Sequence, residues 1–206
     1  MMFDEIKSAF SENKIAIISS IAILFISLIL GYLLQPHLYD YLNPVVDDLT
    51  EKVQTGVITL TFQSIFFNNI QIVFSMFVYG LIFCFSALIL GFNGFFTGYY
   101  LATSDNIVSP LLLIIHHGIF EFSSCILACA SGFVLFNFLA KFILTLLKQK
   151  DSSIKESLSV SYDASYPKLK QAFIIFIIAS VLMAIAGFVE AYLTLPIAEF
   201  LYPFFS

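Results

Sequence analysis

The stretch Gly91–Glu121, GFNGFFTGYYLATSDNIVSPLLLIIHHGIFE, decides how the rest of the chain is read. It lies between long apolar runs, yet it concentrates glycine, asparagine and proline, two adjacent histidines and an acid. An unbroken apolar helix would suffice if the only task were to cross a bilayer. Polar and helix-breaking residues at that depth are costly and face protein or a cavity, so they mark a site.

The flanks make this a membrane chain. Of 206 residues, 60% are hydrophobic and 11% charged, the mean hydropathy is +0.96, and apolar residues come in blocks of 20 or so. A soluble core of this size needs no such blocks. The formal charge of −5, with no arginine, argues against a nucleic-acid partner, whose footprint is basic. Cys84, Cys125 and Cys129 sit inside apolar runs and read as small helix residues rather than as a disulfide framework.

Residues 1–14 are mixed in charge and amphipathic and predict a cytosolic or interfacial helix; residues 15–206 read as a single transmembrane domain. Ile15–Leu34 is long enough to span ~30 Å and is followed by no small-residue cleavage site, so it reads as a retained anchor. Asn43-Pro44 predicts a fresh helix start, with Val45, Val46, Leu49 and Val53 on one face and Asp47, Asp48, Glu51 and Lys52 opposite. The alternation at Ile58, Leu60 and Phe62 fits a strand or an interfacial helix. Asn68-Asn69 opens a second span over about 68–91, and a third, broken at Ser104-Asp105-Asn106 and Pro110, covers 92–117. Gly118 lets the chain turn into a fourth over 119–147, and a fifth covers 171–195, stopping before Pro196, with an aromatic interfacial tail beyond. The expected fold is therefore an all-α, polytopic transmembrane bundle of about five spans, the third of them broken. A single span with a re-entrant hairpin over 93–117, giving three in all, is the alternative.

Lysines set the expected orientation. Lys7 and Lys14 precede the first span and five lysines fall in 148–170, against Lys52 alone in 35–66. Both lysine-bearing segments are expected in the cytosol, which places the C-terminus outside the cell membrane.

Only Glu121 and Glu190 among the acids fall inside apolar runs, and His117 is four residues from Glu121, on the same helix face. Asn93, Asn68, Asn69 and His116 are the polar groups expected near them. Four readings follow: a buried hydrogen-bonded network, a metal ion held by His117, Glu121 and Glu190, a proton or solute relay through Glu and His, and an intramembrane hydrolase. The metal reading and the hydrolase, which would be metal-dependent, call for a metal ion as cofactor; the other two call for none. No serine elbow or second Glu-x-x-His element accompanies these residues, so the chain is expected not to be an enzyme. Gly91, Gly94, Gly98 and Gly118 are the expected helix-packing glycines. Gly94-x-x-x-Gly98 and Ala128-x-x-x-Gly132 offer small surfaces for a homodimer or for packing within one chain.

Four motifs together carry a resemblance: Asn68-Asn69, Gly91-x-Asn93-Gly94-x-x-x-Gly98, His117-Gly118-x-x-Glu121 and Glu190-Ala191-Tyr192-x-Thr194. In order and spacing they resemble the stage II sporulation protein M family. The resemblance implies a membrane protein of five or so spans. It also implies a non-enzymatic scaffold for extracellular peptidoglycan hydrolases, with membrane or extracellular protein partners. The family often carries proline before His-Gly, where this chain has His116, and His117 is the histidine that matches. A channel or transporter component with a Glu/His path is the alternative function.

Overall fold

The structure, a computed structural model, describes residues 2–56, 61–82, 84–104, 107–149 and 153–201. Among them it has seven α-helices and no strand: α1 (Met2–Glu12), α2 (Lys14–Gln54), α3 (Phe62–Val78), α4 (Phe85–Ala102), α5 (Val108–Lys148), α6 (Ile154–Tyr192) and α7 (Thr194–Leu201). Five of these, α2 to α6, are long and apolar enough to cross a membrane. Ile58, Leu60, Asp105, Asn106 and the tail beyond Leu201 lie outside the described residues.

The helix boundaries differ from the expected ones, each for a local reason. Asn43-Pro44 starts no helix: α2 runs through both Pro36 and Pro44. A proline inside a helix removes one hydrogen bond and bends the rod, yet its fixed φ is helical, so the helix continues. The Asn43 side chain donates forward to Asp47 at 3.0 Å instead of capping. Val46 packs inward while Val45, on the same expected face, is 45% exposed. Helix α3 begins earlier than Asn68-Asn69, at a capping box in which Thr61 Oγ1 accepts from the Ser64 N–H and Ser64 Oγ accepts from the Thr61 N–H. Two orphan donors are thereby satisfied at once.

The apolar run 70–90 is not one helix. It folds at a 3-10 turn, Tyr79–Leu81, and at Cys84, whose φ of 70° is left-handed. Cys84 is therefore an exposed turn residue and not part of a span. The fold is possible because Ser86 Oγ donates to the Met76 carbonyl, freed at the end of α3, and because Gly80 lies directly on Gly132 of α5. A Cβ on Gly80 would meet the Gly132 backbone, and one on Gly132 would meet the Ser86 side chain and the Met76 carbonyl. Helices α4, ending at Ala102, and α5, beginning at Val108, are thus two spans rather than one interrupted third. Gly118 does not turn: α5 passes through it, and its nearest neighbours are Ile114 and Phe122 of its own helix. An internal glycine costs only ~1 kcal/mol relative to alanine, which apolar packing on both sides offsets. At the far end Pro196 stops nothing, because it lies in the first turn of α7, where its missing N–H is not needed.

Helices α5 and α6 share the most extensive interface, α2 and α4 the next. Ser157, Ser161 and Ser165, one per turn of α6, are buried, and the Ser161 and Ser165 hydroxyls donate to the Ser157 and Ser161 carbonyls of their own helix. At α2–α4, Gly94 and Gly98 meet Leu24 and Leu28, and Gly31 meets Phe95, backbone on backbone. Gly91 meets only Ile23, at 3.9 Å. The small surfaces of Gly94, Gly98, Ala128 and Gly132 are consumed inside the chain.

Candidate functional site

The α5–α6 antiparallel pair sets three chemistry-bearing side chains face to face. His117 and Glu121 lie one turn apart on α5, and Glu190 comes from the last turn of α6. One ligand-capable atom from each lies within 4.8 Å of the other two. His117 Nε2 is 3.9 Å from Glu121 Oε2, with the side chains 12% and 21% exposed. That separation is an electrostatic contact and too long for a hydrogen bond.

The other imidazole nitrogen is held by a residue absent from the expected site. His117 Nδ1 is 3.2 Å from Thr194 Oγ1, and the same hydroxyl donates to the Val189 carbonyl at 3.2 Å. Thr194 is buried at the start of α7, just past the end of α6. The sequence signal for it was its place four residues after Glu190 in the Glu190-Ala191-Tyr192-x-Thr194 motif.

The remaining expected residues divide. Asn93 of α4 shares with Glu121 a groove of about 610 Å³ between α3, α4 and α5, whose apolar wall includes Ile72, Leu88, Phe92 and Phe96. His116 turns away, its Nδ1 2.8 Å from the Leu112 carbonyl of its own helix. Asn68 is exposed and reaches Asn69 at 3.5 Å, so this pair keeps to itself on α3. Cys125 and Cys129 are free, buried thiols on α5 and do not join the three-residue group.

A second polar junction was not anticipated. At the α1–α2 corner, buried Asn13 donates to the Ala9 carbonyl at 2.8 Å, closing the end of α1, and to Gln171 Oε1 at 2.9 Å. Lys168 donates to Asn13 Oδ1 and Gln171 Oε1, and Gln171 Nε2 donates to Glu12 at 2.9 Å. Those donors, Gln171 first, together with Ser8, hold the Glu12 carboxyl down at about 2. Lys170 and Glu5 pair beside it at 2.6 Å. These residues border polar sequence, where charge gives no cue to position.

With this geometry in hand, the comparisons with known proteins agree with the four motifs. The chain matches the family described as stage II sporulation protein M over residues 17–195. It belongs to that family. The matched region takes in α2 to α6 and reaches Thr194 at the start of α7. A relative in Methanocaldococcus jannaschii, described as an uncharacterized protein, is 29% identical over 194 residues, which cover 91% of this chain and 98% of that one. No solved structure matches the chain. Family membership and five candidate spans make this a multi-pass helical membrane protein.

Proposed function

We propose that the protein is a non-enzymatic membrane scaffold, a partner-recruiting subunit of a cell-envelope complex, with its N-terminus in the cytosol and its C-terminus outside. The observation that carries this reading is the length of α5 and α6. Helices of 41 and 39 residues are about 60 Å long, twice what a ~30 Å hydrocarbon layer requires. Beyond the level where α1 packs on Lys168 and Gln171, the two continue as a paired hairpin. Its tip exposes Leu147, Ile154, Leu158, Tyr162 and Tyr166 among lysines and acids. A rigid helical arm with mixed apolar and charged surface suits docking, whereas conduction makes no use of it. The second half of α2, with Tyr41, Val45 and Leu49 exposed among acids, offers a corresponding surface at the other end. A homodimer fits this reading only through flanks other than the glycine faces, since those are already occupied.

The test joins two measurements on the full chain. A photo-crosslinking amino acid at Tyr162 or Tyr41 is expected to give discrete adducts with a protein other than itself in cells. The purified protein in liposomes is expected to pass protons and ions no faster than empty vesicles. Flux that Glu121→Gln abolishes would replace the scaffold with a transport component, and adducts with lipid alone would remove the scaffold. Orientation is tested separately: a cysteine placed in 153–166 should resist a membrane-impermeant thiol reagent in intact cells, and one in 35–50 should react.

A further inference from the structure

We propose that His117, Glu121 and Glu190 form a binding site for one divalent transition-metal ion, with Thr194 as the residue that positions the imidazole. The first argument is electrostatic. Two carboxyl groups from different helices converge inside candidate spans, and among the described residues neither accepts a hydrogen bond. Buried carboxylates in native structures are paired or coordinated, and leaving both bare in a poorly polarisable setting is costly. One dication balances two carboxylates and leaves the site neutral.

The second argument is independent and concerns a proton. Thr194 spends its hydroxyl hydrogen on the Val189 carbonyl, so toward His117 Nδ1 it offers only a lone pair. In the neutral imidazole that pairing puts the proton on Nδ1 and leaves the Nε2 lone pair free on the side of Glu121. A histidine that donates its outer N–H to a fixed acceptor and turns the other nitrogen toward carboxylates has the arrangement found behind metal-ligating histidines. A network built only for hydrogen bonding would gain more from the opposite tautomer, with an N–H aimed at the acid.

The ligand set narrows the ion. One nitrogen and two carboxylate oxygens suit zinc, manganese or iron(II), whereas magnesium and calcium prefer oxygen alone. Ligand atoms on a tetrahedral zinc lie ~3.3 Å apart, so atoms that all lie within 4.8 Å of one another need close by no more than about 1.5 Å. Side-chain rotation covers that distance. Three protein ligands leave a position open, and Glu121 already borders the groove that holds Asn93. That opening admits water or a small ligand.

The experiment uses the full chain in lipid nanodiscs, stripped with chelator and then titrated with Zn²⁺ and, separately, with Mn²⁺. The parent is expected to retain one ion per chain after desalting and to melt at a higher temperature when loaded. Glu121→Gln, Glu190→Gln and His117→Ala are each expected to reduce retained metal to background and to abolish the thermal shift. Thr194→Val should weaken Zn²⁺ binding ~10- to 100-fold, and Thr194→Ser should restore it, which a merely structural threonine would not predict. His37→Ala and His116→Ala should bind as the parent does. A parent that retains no ion overturns the proposal, whatever the variants do. So do glutamine variants that bind with parental stoichiometry and affinity, or a His37→Ala variant that loses the ion equally.

Discussion

Helix α2 meets α4 through bare backbone, whereas α1 meets α6 through a mesh of side-chain hydrogen bonds. At the first interface Gly31, Gly94 and Gly98 bring backbone onto backbone, with the Ser27 hydroxyl beside Gly94. At the second, Glu12, Asn13, Lys168 and Gln171 satisfy one another across some 155 residues of sequence. Lipid tails are as apolar as leucine, so inside the bilayer helices are held by close packing, for which small residues are the requirement. At the edge of the apolar zone water competes for each polar group, and a network must hold several partners at once to persist. The two ends of one chain thus use opposite means to the same purpose, and each fails in its own way.

The largest effect is expected at the glycine crossing. A Cβ at residue 98 would run into the Leu28 carbonyl, so Gly98→Ala should cost roughly 2–3 kcal/mol and Gly98→Leu more. Titration of the purified protein from mild detergent into denaturing detergent measures it; a loss under ~0.5 kcal/mol would mean the backbones do not touch. Next comes Asn13→Ala, which takes one partner each from Lys168, Gln171 and the Ala9 carbonyl and should cost roughly 1–3 kcal/mol in the same titration. A neutral result there would show that water replaces the network freely.

Glu12 supplies a smaller, pH-dependent term. Its carboxyl is held at about 2 in the fold against an ordinary 4.5, so its contribution is complete above pH ~4.5 and is lost as pH falls toward 2. Because the side chain is 53% exposed, solvent screening limits the effect to about 1 kcal/mol or less. Glu12→Gln should flatten stability over that window, and an unchanged slope would detach Glu12 from the junction. The smallest effect is the most discriminating. Gly91 shares the spacing of Gly94 and Gly98, yet an added Cβ meets only a methyl of Ile23 at ordinary contact distance. Gly91→Ala should therefore be neutral or stabilise by up to ~1 kcal/mol, opposite in sign to Gly98→Ala.

The amino-acid sequence by itself determined the class of this protein. Apolar blocks of span length, no arginine and lysines gathered in two segments leave few folds other than a helical membrane bundle. Local chemistry also placed His117 and Glu121 on one face, because four residues is one helical turn wherever the helix lies. Tertiary structure decided where the apolar runs fold. The 70–90 run shows no break in hydropathy, and it turns at Tyr79–Cys84 because Gly132, some 50 residues later, makes room for Gly80. It also decided which glycines matter, since Gly91 and Gly98 are alike in sequence and differ only in what lies opposite. Glu190 and Thr194 reach His117 only through the antiparallel pairing of α5 with α6, and Gln171 reaches Asn13 only because α1 folds back on α6. Periodicity reports what a residue does along its own helix; the partner across the interface is set by packing, which no local pattern encodes.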